Sequence, residues 1–215
     1  MLANASNELR SPLARIRMSL ELMDLDAASP QRHEISRSIK ELDQLIDEIL
    51  LASRLDAKQS DAEPFEALDL TGLAAEECSR VNADLQVDTG LSNTGHSLTV
   101  QGSARLLRRL IRNLLENARR YSNSEISLEL AQIGVGEHGR AIIRVLDRGP
   151  GIPEALRERI FEPFYRLPGA SEREGGVGLG LALVKSISER HGGTVRCEAR
   201  LGGGAAFIVE LPVVV

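Results

Sequence analysis

Two glycine-rich segments of the sequence have residue types that can bind a nucleotide. In the first, Asp147-Arg148-Gly149-Pro150-Gly151 directly follows an apolar run over 141–146. An aspartate at a strand end can accept a hydrogen bond from an exocyclic amine, and glycines let the backbone approach a flat ring closely. Aspartate and glycine are also ordinary turn residues, so this segment by itself is a modest signal.

The second segment contains Gly176, Gly178, Leu179 and Gly180, and it immediately precedes a helix predicted from Leu181 onward. Unblocked backbone N–H groups and the helix dipole point to the same place there, which predicts a phosphate site. The Gly-Lys-Ser/Thr ending of a Walker A loop is absent, and no strand leads directly into the segment as in a Rossmann fingerprint.

A long connection over 157–175 joins these two segments. Loops of this length are usually functional, and we expect this one to close over a nucleotide with arginines such as Arg166 and Arg173 near the phosphates. Phe161 and Phe164 fit two roles equally well, as anchors in the core or as parts of a switch.

Polar side chains also follow one stripe of a strongly predicted helix over 103–121. The stripe contains Asn113, Glu116, Asn117 and Arg120, at i, i+3, i+4 and i+7. Asparagine is a poor helix former, and amide and carboxylate oxygens are hard ligands of the kind that magnesium prefers beside nucleotide phosphates. A solvated helix face would give the same stripe, so its meaning depends on the glycine segments.

In order and spacing, four segments resemble the N, first glycine, F and second glycine boxes of sensor histidine kinases: 113–118 (NLLENA), 147–151 (DRGPG), 161–164 (FEPF) and 176–180 (GVGLG). A fifth, 6–13 (SNELRSPL), resembles the phosphoacceptor box of that family, so the resemblance covers the whole chain. It implies an ATP-binding α/β sandwich of the histidine kinase, gyrase and MutL type. It also implies transfer of the ATP γ-phosphate to a histidine and then to an aspartate of a response regulator receiver domain.

The resemblance implies a role for each matching residue. Asn117 matches a magnesium ligand, with Asn113 as its polar companion, and Asp147 matches the adenine-binding aspartate beside Gly149 and Gly151. Phosphate- and ribose-side contacts are implied for Arg120, Tyr121, Gly176, Gly178 and Gly180. In the phosphoacceptor box, Glu8 matches the acid/base partner, and Ser11 matches the residue that positions a water for dephosphorylating the regulator.

The phosphoacceptor position itself departs from the family, because Asn7 stands where the family has histidine. Imidazole has an in-plane lone pair that can attack the γ-phosphate, whereas the amide nitrogen of asparagine delocalises its lone pair into the carbonyl. We therefore expect autophosphorylation to be lost while ATP binding survives. None of His33, His96, His138 and His191 has the Glu-Leu-Arg-x-Pro setting. Since the rest of the box is intact, a single deliberate His→Asn change is favoured over gradual loss.

Helical periodicity dominates residues 1–57. Leu9, Leu13, Ile16, Leu20 and Met23 recur every three or four residues, as do Ile35, Ile39, Leu42, Ile46 and Ile49 after a break at Pro30. Two such helices cannot enclose a core alone, so we expect an antiparallel hairpin that forms a homodimeric four-helix bundle. Packing of the hairpin onto the rest of the chain is the alternative.

A polar stretch ending at Pro64 predicts a linker over 58–64, which leaves 65–215 as an ATP-binding domain. There we expect helices over 71–82, 103–121 and 181–191, and strands around 126–130, 141–146, 194–199 and 205–211. Strands interleaved with helices predict an α+β class, with one sheet covered by helices on one face.

Composition excludes other classes of function. The 26 Lys+Arg against 31 Asp+Glu give a net charge of −5, which argues against binding to nucleic acid or an anionic membrane surface. Cys78 and Cys197 form no CxxC pair, so we expect two buried thiols in a reducing cytosol. No apolar run of about 18 residues is present. We expect a cytoplasmic piece of a longer inner-membrane sensor.

The sequence leaves two other functions open. One is a non-catalytic dimeric module that binds ATP and a regulator, and the other is a gyrase- or MutL-like ATPase. The predicted hairpin argues against the ATPase.

Overall fold

The chain divides into two units, Met1–Gln59 and Ser60–Val215. The computed structural model describes residues 16, 18–19, 31, 34–39, 42–43, 46, 49–51, 64–88, 98–122, 124–134, 138–167 and 178–214. Every described residue of the first unit is helical, as the periodicity predicts. Within the described ranges, we find no helix with the length and apolar character needed to cross a membrane.

Apolar residues of the first unit differ in exposure. Ile39 and Leu50 are buried, whereas Ile35, Leu42 and Ile49 are 40%, 47% and 44% exposed. The three exposed residues are seven apart, a spacing that keeps them on one stripe of a helix. This part of the chain therefore has an accessible apolar stripe. The predicted hairpin residues outside the described ranges include Leu9, Leu13, Leu20 and Met23.

The described part of the second unit contains seven strands and three α-helices. In chain order they are β1 (Glu66–Asp69), α1 (Leu70–Val81), β2 (Asp84–Val87), β3 (Thr99–Gly102), α2 (Ala104–Tyr121), β4 (Ser127–Ile133), β5 (Arg140–Leu146), α3 (Gly180–Arg190), β6 (Thr194–Ala199) and β7 (Ala205–Pro212). Two short 3-10 turns, Glu154–Leu156 and Arg159–Phe161, follow β5.

Five strands form the larger sheet in the order β2-β4-β5-β7-β6. The β2–β4 pair is parallel, and the other three pairs are antiparallel. The two faces of this sheet differ in chemistry. Leu128 lies opposite Val145, which in turn lies opposite Phe207 on the apolar face, and all three are fully buried. On the other face the neighbouring pair Glu129 and Arg144 forms an ion pair at 3.6 Å.

All three helices contact this sheet, α1 at β2 and β4, α2 at β5, and α3 at β6 and β7, as expected of a sheet covered by helices. The strands predicted at 141–146, 194–199 and 205–211 are confirmed to within one residue at each end. The strand predicted around 126–130 begins at Ser127 and extends to Ile133. The α+β class is confirmed as well.

A second, two-stranded sheet was not expected from the sequence. It pairs β1 with β3 in antiparallel register, from Glu66 opposite Gly102 to Asp69 opposite Thr99. The expectation of one sheet is wrong in this respect. Each of these strands has only four residues, which is too short to give a clear alternating pattern.

Capping residues explain where the helices begin and end. Asp69 caps α1, its carboxylate accepting a hydrogen bond from the Thr71 N–H at 2.9 Å. Asn82 ends α1 in the left-handed conformation with φ 57°. Ser103 caps α2 in the same way as Asp69 caps α1, through the Leu106 N–H at 3.4 Å. The predicted helices are confirmed to within two residues at each end.

Candidate functional site

Asp147 is the first residue after β5, and it lies almost completely inside the protein at 3% exposure. Its Oδ1 accepts a hydrogen bond from the Gly149 N–H at 2.8 Å and another from the Ala205 N–H at 3.2 Å. Both hydrogen bonds that the carboxylate accepts from described residues therefore fall on one oxygen. The other oxygen is the acceptor available to a ligand amine.

The glycines after Asp147 allow a close approach of backbone segments. A Cβ at Gly149 would lie 2.6 Å from the Tyr121 carbonyl oxygen and 3.0 Å from the Asp147 Oδ1. Gly151 has φ +74°, where side chains are strained. The Asp147 turn thus lies directly against the last residue of α2, and only glycine fits between them.

Ser122 joins the end of α2 to the same turn. This buried side chain accepts hydrogen bonds from the Arg148 N–H at 3.3 Å and from the Ser124 N–H at 3.2 Å. Ser122 belongs to none of the motifs visible in the sequence. Its only sequence signal is a hydroxyl at the C-terminal end of a predicted helix, a common surface position.

Asn113 connects α2 to the start of α3. Its side chain is 6% exposed, and its Nδ2 donates a hydrogen bond to the Gly180 carbonyl oxygen at 3.1 Å. A buried polar side chain with one backbone partner is unlike a solvated helix face, which the sequence left as an alternative for this stripe. Asn117, one turn later, is half-buried, and Glu116 is exposed.

Arg120 and Tyr121 end α2 with different surroundings. Tyr121 is half-buried, whereas Arg120 is exposed and lines a groove of about 670 Å³ between α1 and α2. Glu116 and three further arginines, Arg80, Arg112 and Arg119, line the same groove. Arg120 therefore lies on the same side of α2 as Glu116, and its side chain is exposed.

The first turn of α3 has free backbone donors. Leu179 is its N-cap residue, and no side chain caps the helix, so the N–H groups of the first turn have no capping acceptor among the described residues. Leu179 is buried, which fixes the direction of the first turn. These donors and the positive end of the helix dipole make this place suitable for an anion.

Gly178, just before the first turn of α3, is held in place by the segment 161–167. Gly178 has φ +82°, and a Cβ on it would lie 2.8 Å from the Tyr165 carbonyl oxygen. Its own carbonyl oxygen accepts a hydrogen bond from the Phe164 N–H at 3.0 Å. Phe164 also has a left-handed backbone with φ 63° and is 59% exposed, whereas Phe161 is buried with an edge-to-face contact to Phe207.

Phe161 is therefore a core anchor. Arg166 lies in the same segment, 161–167, and is half-buried. Five of the predicted site residues, Asn7, Glu8, Ser11, Arg173 and Gly176, lie outside the described residues.

His191 is a structural residue of the second unit. Its Nε2 accepts a hydrogen bond from the Ser103 N–H at 3.2 Å, its Nδ1 lies 2.7 Å from the Ile187 carbonyl, and its ring stacks on Phe65. Burial lowers the pKa of this imidazole, against the opposing effect of the Ile187 hydrogen bond. The charged state is therefore disfavoured, because desolvation outweighs the hydrogen bond to Ile187 and the charge of Arg190 lowers the pKa further.

The two cysteines are buried, as expected. Burial, with smaller contributions from nearby carboxylates, raises the pKa of the Cys78 thiol to about 11. Burial likewise raises the pKa of Cys197 to about 12. Neither thiol is suited to act as a nucleophile near neutral pH.

The arrangement is suited to binding a purine nucleotide. A buried carboxylate with a free acceptor and glycines without room for a Cβ lie against the last residue of α2, and an uncapped helix N-terminus lies beside Asn113 on the same helix. Comparison with known proteins agrees. Residues 102–215 match the family model described as histidine kinase-, DNA gyrase B- and HSP90-like ATPase, and residues 1–58 match the His Kinase A (phospho-acceptor) domain.

Individual relatives are sensor proteins and sensor histidine kinases. RstB of Escherichia coli K12, a sensor protein, is 41% identical over 212 residues, which are 96% of this chain and 47% of RstB. The sensor histidine kinase RppB of Synechocystis is 34% identical and covers 98% of this chain and 48% of RppB. A crystal structure of full-length ShkA in complex with AMPPNP aligns with a TM-score of 0.72 and 25% identity, over 99% of this chain and 45% of ShkA.

The second unit thus has the fold of the histidine kinase, gyrase and HSP90 ATPases. With its phosphoacceptor-type N-terminal region, the chain belongs to the sensor histidine kinases of two-component systems. It spans about half the length of the curated relatives it matches.

Proposed function

We propose that this chain is a kinase core that binds Mg-ATP in residues 65–215 and is silenced at its phosphoacceptor position. The observation that carries the ATP site is the buried Asp147 carboxylate, which uses Oδ1 for two backbone N–H groups and keeps an acceptor for the adenine amine. Gly149 and Gly151 let the adenine ring approach the backbone.

The phosphates would lie at the first turn of α3, with Gly178, Leu179 and Gly180 supplying backbone N–H groups. Asn113 fixes this turn relative to α2 through the Gly180 carbonyl, at 3.1 Å. The Asn117 amide oxygen on the same helix would hold Mg²⁺, together with the phosphates and water. Magnesium would neutralise charge on the transferring phosphoryl group. Arg120, Tyr121 and Arg166 would contact ribose or phosphates, and Gly176 would continue the cradle.

We propose that residues 1–57 form a homodimer through a hairpin, with 58–64 as the linker. The support is the apolar stripe of Ile35, Leu42 and Ile49, each at least 40% exposed on the single chain. A second copy presenting the same stripe would bury these side chains in a four-helix bundle. We place this core in the cytoplasm, within a longer membrane-anchored sensor, with a response regulator receiver domain as partner.

Asn7 should prevent autophosphorylation, because its amide cannot supply the lone pair that attacks the γ-phosphate. Glu8 would keep its role as acid/base partner if histidine were restored. Ser11 would still be present to position a water for dephosphorylating the regulator, a reaction that does not require a phosphohistidine.

The test is phosphoryl incorporation from Mg-ATP labelled at the γ-phosphate. Four proteins are compared: the chain as it is, Asn7→His, Asn7→Gln as a matched amide control, and Asn7→His combined with Asp147→Ala. We expect acid-labile label in Asn7→His alone. Label in the chain itself would contradict position 7 as the only acceptor. Label in none would mean that the kinase machinery has failed elsewhere.

Asn7 itself favours a second candidate, a non-catalytic dimeric module that binds ATP and a regulator. Mixed dimers separate the two. The chain is combined with a partner subunit that carries Asn7→His and Asn117→Ala, so that only the unmodified subunit can bind Mg-ATP productively. Label on the partner would show a competent ATP site acting across the dimer. If neither the partner nor the Asn7→His homodimer is labelled, the non-catalytic module is favoured. An unlabelled partner beside a labelled Asn7→His homodimer would instead leave transfer within one subunit as the kinase's route.

A further inference from the structure

A turn of the β6–β7 hairpin holds the backbone of the proposed adenine-binding residue. We infer that Arg200 is a positioning residue for Asp147 and thereby sets the selectivity of the site for a 6-amino purine. This inference rests on the proposed ATP site and adds a residue outside all the motifs that the sequence brought to attention.

The turn is a defined structure and not a loose loop. The Arg200 N–H donates to the Gly204 carbonyl at 3.2 Å, and the Gly203 N–H donates to the Arg200 carbonyl at 3.1 Å. These bonds close the hairpin immediately beyond the last ladder pair, Ala199 with Ala205. The guanidinium of Arg200 is thus carried on a backbone of fixed geometry.

Three hydrogen bonds join this hairpin to Asp147. The Asp147 N–H donates to the Ala205 carbonyl at 3.0 Å, and the Ala205 N–H donates to the Asp147 Oδ1 at 3.2 Å. The third comes from Arg200, whose Nη1 donates to the Asp147 carbonyl oxygen at 3.1 Å. The hairpin therefore holds the N–H, the C=O and the carboxylate of one residue.

Gly204 shows how closely the two segments approach. A Cβ on this residue would overlap the Asp147 carbonyl oxygen, the same oxygen that Arg200 binds. Gly204 also has φ +103°, a conformation that side chains avoid. The carbonyl is thus enclosed on one side by the Gly204 backbone and held on another by a charged donor.

Polar contacts are what hold this turn in place. Leu201, at its tip, is 96% exposed and contributes no apolar anchor. A reciprocal contact, from the Arg148 Nη1 to the Leu201 carbonyl at 3.2 Å, joins the same two segments without touching Asp147. Hydrogen bonds from a charged donor are stronger than those between neutral groups. Removing the Arg200 guanidinium should therefore loosen the peptide plane of Asp147 more than removing a neutral donor would.

The direction of the free carboxylate oxygen depends on that peptide plane, because the side chain and the held carbonyl belong to one residue. A tilt of the backbone moves the acceptor away from an adenine amine and has less influence on phosphates bound at α3. The loss should therefore be specific to the base amine.

The experiment compares two nucleotides on the full chain by isothermal titration calorimetry with Mg²⁺. ATP carries the 6-amino group, and purine riboside 5′-triphosphate lacks it. Arg200→Met removes the donors at similar length, Arg200→Lys keeps a charged donor, and Arg148→Met is the matched control on the reciprocal contact. The ratio of the two affinities, measured on one preparation, does not depend on the fraction of folded protein.

We expect Arg200→Met to weaken ATP binding by about tenfold, the factor that corresponds to about 1.4 kcal/mol, the size of one hydrogen bond. Binding of purine riboside triphosphate should change by less than about twofold, Arg200→Lys should recover most of the selectivity, and Arg148→Met should leave it unchanged. Equal weakening of both nucleotides, or unchanged selectivity in Arg200→Met, would overturn the inference.

The variant Asp147→Ala distinguishes failure of the inference about Arg200 from failure of the proposed function. If the unmodified chain prefers ATP and Asp147→Ala removes the preference, the adenine site stands, and the Arg200 result decides the inference alone. If Asp147→Ala keeps the preference, the amine is read elsewhere, and both the proposed site and the role of Arg200 are overturned.

Discussion

Breaking the buried ion pair between α1 and α2 from the Glu77 side should destabilise the second unit. Glu77 is 1% exposed and accepts two hydrogen bonds of 2.9 Å from the Nε and Nη2 of Arg112. These bonds raise the pKa of Arg112. Arg80, at 3.6 Å, and Arg108, at 4.0 Å, complete the cationic surroundings of the carboxylate. Glu77→Gln keeps the shape of the side chain but places an NH₂ donor against guanidinium donors.

The size of the expected loss in the free energy of unfolding follows from how deeply Glu77 and Arg112 are each buried. Removing one partner of a fully buried pair costs about 3–5 kcal/mol. The Arg112 side chain is 34% exposed and can turn toward water, and glutamine keeps one acceptor. We therefore expect a loss of about 2–3 kcal/mol in the free energy of unfolding. For a unit of this size that corresponds to a fall in Tm of about 4–12 °C.

Differential scanning calorimetry of the full chain measures this change in the transition of the second unit. Glu76→Gln is the matched control, because Glu76 pairs with Arg108 from a side chain that is 55% exposed. Such a surface pair should contribute less than about 1 kcal/mol. The double variant Glu77→Gln/Arg112→Gln should be more stable than the sum of its single changes predicts. Equal Tm values for Glu77→Gln and Glu76→Gln would refute the assignment.

Two further predictions concern titratable groups. Because burial lowers the pKa of folded His191, the unfolded chain takes up its proton first as the pH falls below about 6.5, so the contribution of His191 to stability is fully present above that pH and is lost below it. Thermal unfolding of His191→Gln should show a smaller fall in Tm between about pH 7.5 and 5.5 than the unmodified chain, with the exposed His138→Gln as control; equal falls would contradict this. Since burial raises the pKa of Cys78 to about 11 and of Cys197 to about 12, a thiol reagent at about pH 8 should label both only after denaturation, and rapid labelling of the native chain would show the burial to be wrong.

Much of the second unit could be predicted from local patterns alone. The 18 residues of α2 have a continuous apolar face and a serine cap, and such a long periodic signal defines both the type and the ends of a helix. Asp147 and its glycines were identified because a polar residue and two unrestricted backbone positions directly follow an apolar strand. The inferred roles of these residues remain predictions until nucleotide binding is measured.

Short elements could not be predicted from local patterns in the same way. Each strand of the β1–β3 sheet has four residues, and β2 pairs in parallel with β4, a strand that begins 40 residues after β2 ends. Nothing in four residues specifies a partner so distant in sequence, because pairing is decided by how α1 and α2 bring the strands together. His191 is a similar case, since its neutral state depends on Phe65 and Ser103, which only the folded chain brings to its ring.

The sequence by itself determined the family and the order of the motifs, because these depend on residue identity and spacing along the chain. Tertiary structure alone decided what holds those residues in place. Arg200 lies 53 positions from Asp147 in the sequence, and no residue type in its turn suggests nucleotide chemistry. The pairing of β5 with β7 sets the β6–β7 hairpin beside Asp147. The role inferred for Arg200 is therefore a consequence of sheet register and of the space left by Gly204.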